Sequence, residues 1–282
     1  MDYKTGFNVK PKETNAVGEV TFTDGTYDFP PNQMQCEAYG YTWNPALGTC
    51  TAFRYSNKIA ALMNNSTNNV RGGTANVGTF NSFLNGDGNI TEGNNRNILI
   101  TGQEGEASEG INNGSIIGGK MGKIIRQGEV VLGGGLFVVA DEAGYAQSSR
   151  VQLSGSTTNE DATNLTIQNL TSEFITVQTN SILGYTVYLT RLETGGTSGT
   201  AGNFSYRLQR GAIQTATDGT IAIEVGLTTE IASIGEIGVF SIVDSTTGGI
   251  PSVTIEVSDR ADVNNLWSAT VYLHELRTNI DF

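Results

Sequence analysis

Charge, proline, histidine and cysteine are all scarce in this chain, and each shortage narrows what it can do. Charged residues make up 16%, against roughly 25% in an ordinary soluble chain, so the polar surface has to come from Asn, Thr, Ser and Gly. Five prolines and the lack of a strict Gly-X-Y period exclude a Pro-rich linker and a collagen helix. No apolar run nears the ~20 residues that a membrane-spanning helix needs. The opening Met1-Asp2-Tyr3-Lys4-Thr5-Gly6 lacks the apolar stretch of a secretory signal, so neither membrane insertion nor export by that route is expected. Positive charge is scarcer than negative. A net charge of −12 repels phosphate backbones, and nucleic acid is not an expected partner.

The same scarcity bears on chemistry. His274 is the single histidine, so a Ser-His-Asp triad would have to use it, and no Gly-x-Ser-x-Gly elbow precedes a helix. Gly118-Gly119-Lys120 lacks the spacing of a phosphate loop. Asp87, in Gly86-Asp87-Gly88-Asn89, lacks the alternating carboxylates of a calcium turn. Glu104, Glu106 and Glu109, the Asp141-Glu142 pair and the Glu160-Asp161 pair sit in Gly- or Thr-rich stretches and read as solvated, whereas glycoside hydrolysis needs one buried carboxyl. A non-enzyme without cofactor or metal is therefore expected. Cys36 and Cys50 are the two cysteines, too few for a zinc site. They are disulfide candidates, with a pair of free buried thiols as the alternative.

What is present divides the chain into three regions. Residues 1–56 carry four of the five prolines and the aromatic cluster Tyr39, Tyr41, Trp43, Phe53 and Tyr55. The run from Cys36 to Cys50 reads as a small closed module with turns at Asn44-Pro45 and Leu47-Gly48. Its aromatics Tyr39, Tyr41, Trp43 and Phe53 are candidates for anchoring the chain to another protein. Residues 57–135 begin with a short helix expected over 56–64. About half of the 36 glycines follow, interleaved with Asn and short apolar pairs such as Ile116-Ile117 and Val130-Val131. Strands of three to five residues ending in Gly turns bury little alone, but stacked into coils each pairs with the next. A β-helical shaft is expected, and the sparse apolar content favours winding it from several chains around a shared core.

Residues 136–282 alternate apolar and polar side chains. Strands are expected over 136–140, 150–154, 164–169, 174–178, 185–192, 205–210, 220–225, 238–243, 252–257 and 268–277, which suits an antiparallel β-sandwich of jelly-roll type. The tetrapeptide Thr-Val-Tyr-Leu occurs at 186–189 and again at 270–273. Alternation places Val and Leu on one face and Thr and Tyr on the other, without saying which is core. Tyr185, Tyr188, Tyr206, Trp267 and Tyr272 are candidate contacts to a receptor, a glycan or a neighbouring subunit.

The Gly/Asn coil ending in Gly133-Gly134-Gly135, the final strand Trp267-Ser268-Ala269-Thr270-Val271-Tyr272-Leu273-His274, and Gly40-Tyr41-Thr42-Trp43 within the Cys-bracketed run together resemble bacteriophage fibre and spike proteins. The resemblance implies an all-β homotrimer in the virion. Its parts would be an N-terminal anchor to other virion proteins, a β-helical shaft, and a jelly-roll-like head for attachment to a host-surface glycan or protein. A purely structural head, capsid or neck appendage and a glycan-cleaving tailspike are the alternatives.

Overall fold

The computed structural model describes residues 3–15, 18–45, 47–52, 68–135 and 142–280. The helix expected over 56–64, the strand over 136–140, and the side chains of Phe53 and Tyr55 lie outside them. The chain forms two compact units, Met1–Met63 and Asn64–Phe282, and is nearly all β.

The first unit is small. Strands β1 (Lys10–Thr14), β2 (Val20–Thr23) and β3 (Asp28–Phe29) form an antiparallel sheet, and β4 (Thr42–Asn44) pairs with β5 (Thr49–Thr51) as a hairpin. Between them lies α1 (Gln33–Ala38), a six-residue helix that the alternation of the sequence does not announce. Its signal is local. Asn32 accepts from the Gln35 amide while the Gln35 side chain accepts from the Asn32 amide, a reciprocal cap that satisfies two donors no helical carbonyl can reach. Cys36 and Cys50 are bonded, with Cα atoms 5.6 Å apart. They complete a core with Val20 and Phe22.

The second unit opens with a β-solenoid. Strands β6 (Asn69–Ala75), β7 (Phe83–Thr91), β8 (Leu99–Gln103), β10 (Ser115–Lys120) and β12 (Val130–Gly135) stack in parallel, and β9 (Glu106–Ala107) and β11 (Lys123–Ile124) extend a second wall from β7. Leu84, Ile100, Ile116 and Val131 occupy one inward column, with the first three coils sixteen residues apart. That period is legible in Asn81, Asn97 and Asn113, one per coil, each in the left-handed region with φ of 52°, 56° and 58°. Asparagine tolerates this conformation better than other side chains. At a second corner only glycine fits. Gly86 has φ +133°, and a Cβ there would lie 1.8 Å from the Gly102 carbonyl oxygen of the next coil.

Sparse apolar content does not prevent one chain from closing this coil, contrary to the expectation of a core shared between chains. Leu84, Ile98, Ile100, Ile116, Ile124 and Val131 are buried within the single chain. Buried asparagines do the rest. Asn89 donates to the carbonyls of Asn85 and Gly102 at 3.0 and 3.2 Å and accepts from Gly105 N at 2.9 Å. Asn95 does the same with Ser108, Ile111 and Gly93. Corner amides that would cost 1–3 kcal/mol each if left unpaired are thereby satisfied, so the narrow interior needs few hydrocarbon groups.

The coil then feeds a β-sandwich. Strand β12 pairs antiparallel with β13 (Ala146–Thr157), and the sheet continues through β22 (Asn264–Arg277), β17 (Ser181–Gly195), β18 (Phe204–Thr215) and β19 (Ile221–Ile234). A smaller sheet of β14 (Thr163–Asn164), β21 (Ser252–Ser258), β16 (Ile175–Thr176) and β20 (Val239–Asp244) covers one face, while β15 (Thr166–Ile167) pairs with β13. Val187, Leu189, Val271 and Leu273 point into the core between the sheets. The repeated tetrapeptide is thus resolved, and its threonines and tyrosines lie on the opposite face.

Arg126 ties coil to sandwich. Fully buried, it pairs with Glu129 at 2.7 Å and with Glu275 of β22 at 3.0 Å, and donates to the Thr176 carbonyl of β16 at 2.7 Å.

Candidate functional site

The face of the large sheet away from the small one carries the most conspicuous side-chain constellation of the second unit. Thr186 and Tyr188 of β17 stand beside Thr270 and Tyr272 of β22, because Thr186 is in register with Tyr272 and Tyr188 with Thr270. Arg210 of β18 is opposite Thr186, and Tyr206, four residues along, is opposite Thr190. Tyr188 stacks on Tyr206 with centroids 6.1 Å apart and planes at 22°, and meets Tyr272 edge-on at 6.1 Å. With His274 these residues line an open groove of about 550 Å³. Polar pairs fix its flank. Ser148 Oγ lies 3.0 Å from His274 Nδ1, Gln152 donates to Ser268 Oγ at 2.7 Å, and Thr270 donates to Gln152 at 2.8 Å.

Three of the five aromatic contact candidates, Tyr188, Tyr206 and Tyr272, therefore share this face. The other two do not, and this is a correction. Tyr185 and Trp267 are 3% and 2% exposed and pack in the sandwich core, where Trp267 donates to Thr157 Oγ1 at 3.0 Å and burial pushes the Tyr185 phenol up. Parity decides it. Tyr185 is two residues from Val187, and Trp267 is four from Val271, so each shares the inward face of its strand. Arg210 and the aliphatic residues around the groove were not singled out by the sequence. In the first unit Tyr39, Tyr41 and Trp43 are half-buried around the disulfide core. The Tyr39 hydroxyl donates to the Val9 carbonyl at 2.6 Å, and Phe22 meets both tyrosine rings edge-on. They build that core as well as any surface they present.

The carboxylates expected to be solvated are not all so. On the outside of the coil Glu106 and Glu92 share Lys123, whose Nζ lies 2.7 Å from one and 3.4 Å from the other. Burial and the hydrogen bond with Glu92 hold the Glu106 carboxyl above its usual range, whereas the hydrogen bond with Glu106 and the charge of Lys123 hold Glu92 below. Burial works to lower Lys123, but the two carboxylates outweigh it and raise it. Two neighbouring carboxyls pushed in opposite directions can divide the roles of proton donor and base.

No protein-family model matches the chain, and no curated protein does. Among solved structures, the tailspike protein of Acinetobacter baumannii phage AM24 is 11% identical with a TM-score of 0.30, over 74% of this chain and 43% of that one. The tailspike gp49 of Acinetobacter baumannii bacteriophage Fri1, described as a capsular polysaccharide depolymerase, is 8% identical with a TM-score of 0.24, over 68% and 40%. The tailspike of Acinetobacter phage vB_ApiP_P1 is 7% identical with a TM-score of 0.22, over 75% and 48%. The chain spans less than half the length of each. The expectation of a non-enzyme is corrected at this point, because a similar structure described as a depolymerase stands against a firm exclusion of catalysis.

Proposed function

We propose that the chain is a virion protein of a bacteriophage, of the tail-fibre or tailspike type. In this reading it acts as a homo-oligomer, a trimer, attaches to the virion through its first unit and presents the sandwich to the host surface. The observation that carries the reading is the unbroken sheet in which a parallel coil becomes an antiparallel sandwich. A stacked coil is a spacer that grows by repetition without needing a new core, and a sandwich at its end offers loops and faces for recognition. The test uses the full chain. Added to host bacteria, it should be retained on the cells and reduce phage adsorption in proportion to its concentration. A chain washed off the cells, with adsorption unchanged, would end the attachment reading.

A second reading, cleavage of the glycan that is bound, is favoured by the Glu92–Glu106 pair. Incubation with purified host capsular polysaccharide should then release reducing ends. Glu106→Gln should lower that release by roughly 100-fold or more, in the range of general acid catalysis. Release unchanged in Glu106→Gln would remove this pair from consideration.

A further inference from the structure

We infer that the uncovered face of the large sheet, continued on the outside of the coil, is the surface on which copies of this chain assemble side by side. This deepens the homo-oligomer reading above and rests on it.

The first argument is where the exposed hydrocarbon lies. At one end of the tyrosine groove Leu192, Leu266 and Phe204 meet in register, with Ile234 beside Phe204. At the other end Ile182 pairs with Leu276. Leu192, Leu266, Ile182, Leu276 and Ile234 are between 43% and 58% exposed. The face does not stop at the sandwich. Val130 of β12 is in register with Arg150 of β13, so the outer side of the coil is the same side of the same sheet. There Phe83, Leu99, Ile117 and Leu132 are 36–57% exposed. Three exposed aliphatic patches on one face, separated by the tyrosine groove and the polar outer row of β13 (Ser148, Arg150 and Gln152), mark an interaction surface.

Charge supplies the second argument. The chain carries −12, so two copies repel over most of their surface. Strands β13, β22, β17 and β18 place no Asp or Glu on the uncovered face. Their carboxylates Glu193 and Glu275 point the other way and are buried. These four strands are where a second copy can approach without that repulsion; on the edge strand β19, Glu224 lies opposite Ala212 on the same face.

Size completes the case. Strands of 12 to 15 residues, five abreast, span roughly 40 by 24 Å, near 1,000 Å². A stable interface needs about 800 Å² per partner. Parallel copies around an axis along the strand stack would set coil against coil and sandwich against sandwich, and would cover the aliphatic patches of both. A glycan lying in the tyrosine groove would leave the aliphatic side chains at both ends and on the coil uncovered, so a second copy fits better.

The test is sedimentation of the full chain together with hydroxyl-radical labelling of Tyr188, Tyr206 and Tyr272. The unmodified chain should sediment as a multiple of 29.9 kDa, with these tyrosines protected in buffer alone. The double variant Leu192→Glu/Leu266→Glu puts two carboxylates on the face at exposed sites. It should weaken association by at least about 100-fold and expose the tyrosines, with its far-UV spectrum unchanged. Val239→Glu, at a more exposed site but on β20 of the small sheet, should do neither. Should the double variant misfold, the labelling of the unmodified chain still decides. A single-copy mass for the unmodified chain, or protection that appears only when acidic polysaccharide is added, would overturn the inference. Cell binding by a single-copy chain would leave the attachment reading standing and remove the homo-oligomer reading together with this interface, whereas an oligomeric mass with Tyr188, Tyr206 and Tyr272 fully labelled would remove this interface alone.

Discussion

Replacing Arg126 with Met is expected to lower the unfolding free energy of the 68–280 region by about 3–5 kcal/mol, the usual cost of leaving a buried charge without its partner. The guanidinium is fully buried and answers two carboxylates and a backbone carbonyl contributed by the coil, β22 and β16. Met replaces its aliphatic stem but supplies no donor. The loss should depend on pH. Burial already holds the Glu275 carboxyl above its usual range, with the charge of Arg126 pulling the other way, and its Oε1 has no hydrogen-bond partner among the described residues. A carboxyl raised on folding contributes stability that is present below its unfolded pKa and lost as pH rises through the folded one. Without Arg126 the carboxyl rises further, so the deficit should be smallest near the ordinary carboxyl range and grow toward pH 8. Urea unfolding of both proteins at pH 5 and pH 8 measures it. A deficit below 1 kcal/mol, or one equal at the two pH values, would show that the triad does not lock coil to sandwich.

The second large effect belongs to the first unit. Its core is a handful of side chains, two of them Cys36 and Cys50. Small domains of this kind depend on covalent closure. Cys36→Ala/Cys50→Ala removes a cross-link over a loop of about 15 residues, which the chain-entropy model values at about 3 kcal/mol. Hydrogen exchange followed by mass spectrometry should show amides in 18–52 losing protection while those in 84–131 and 181–277 keep theirs. Protection unchanged in 18–52 would mean that Val20, Phe22 and the surrounding rings suffice without the bond.

How much could be read in advance follows the range of each interaction. Alternation located most strands of the sandwich because a half-buried strand writes its period of two directly into the sequence. The stretches around Tyr185–Leu192 and Ser268–Arg277 fall inside β17 and β22. Glycine and asparagine located the coil because its corners need positive φ. The sixteen-residue period is written there too, in Asn81, Asn97 and Asn113, but the short apolar pairs between them mask it. The helix α1 went unread because its signal is a cap and not an apolar stripe. Side-chain pairing between distant elements was beyond reach. Nothing in the local sequence at Arg126 names Glu275, 149 residues on.

By itself the sequence determined an all-β chain with a Gly/Asn coil followed by alternating strands, since backbone conformation and strand period are local properties. Tertiary structure decided the rest. It showed that one chain closes the coil, because buried Asn89 and Asn95 satisfy the corner amides that hydrocarbon cannot. It turned Tyr185 and Trp267 inward and gathered Tyr188, Tyr206 and Tyr272, since only the second sheet defines which face is core. It also joined coil and sandwich into one sheet and left one face of that sheet uncovered, because register between β12 and β13 is set by pairing and not by composition.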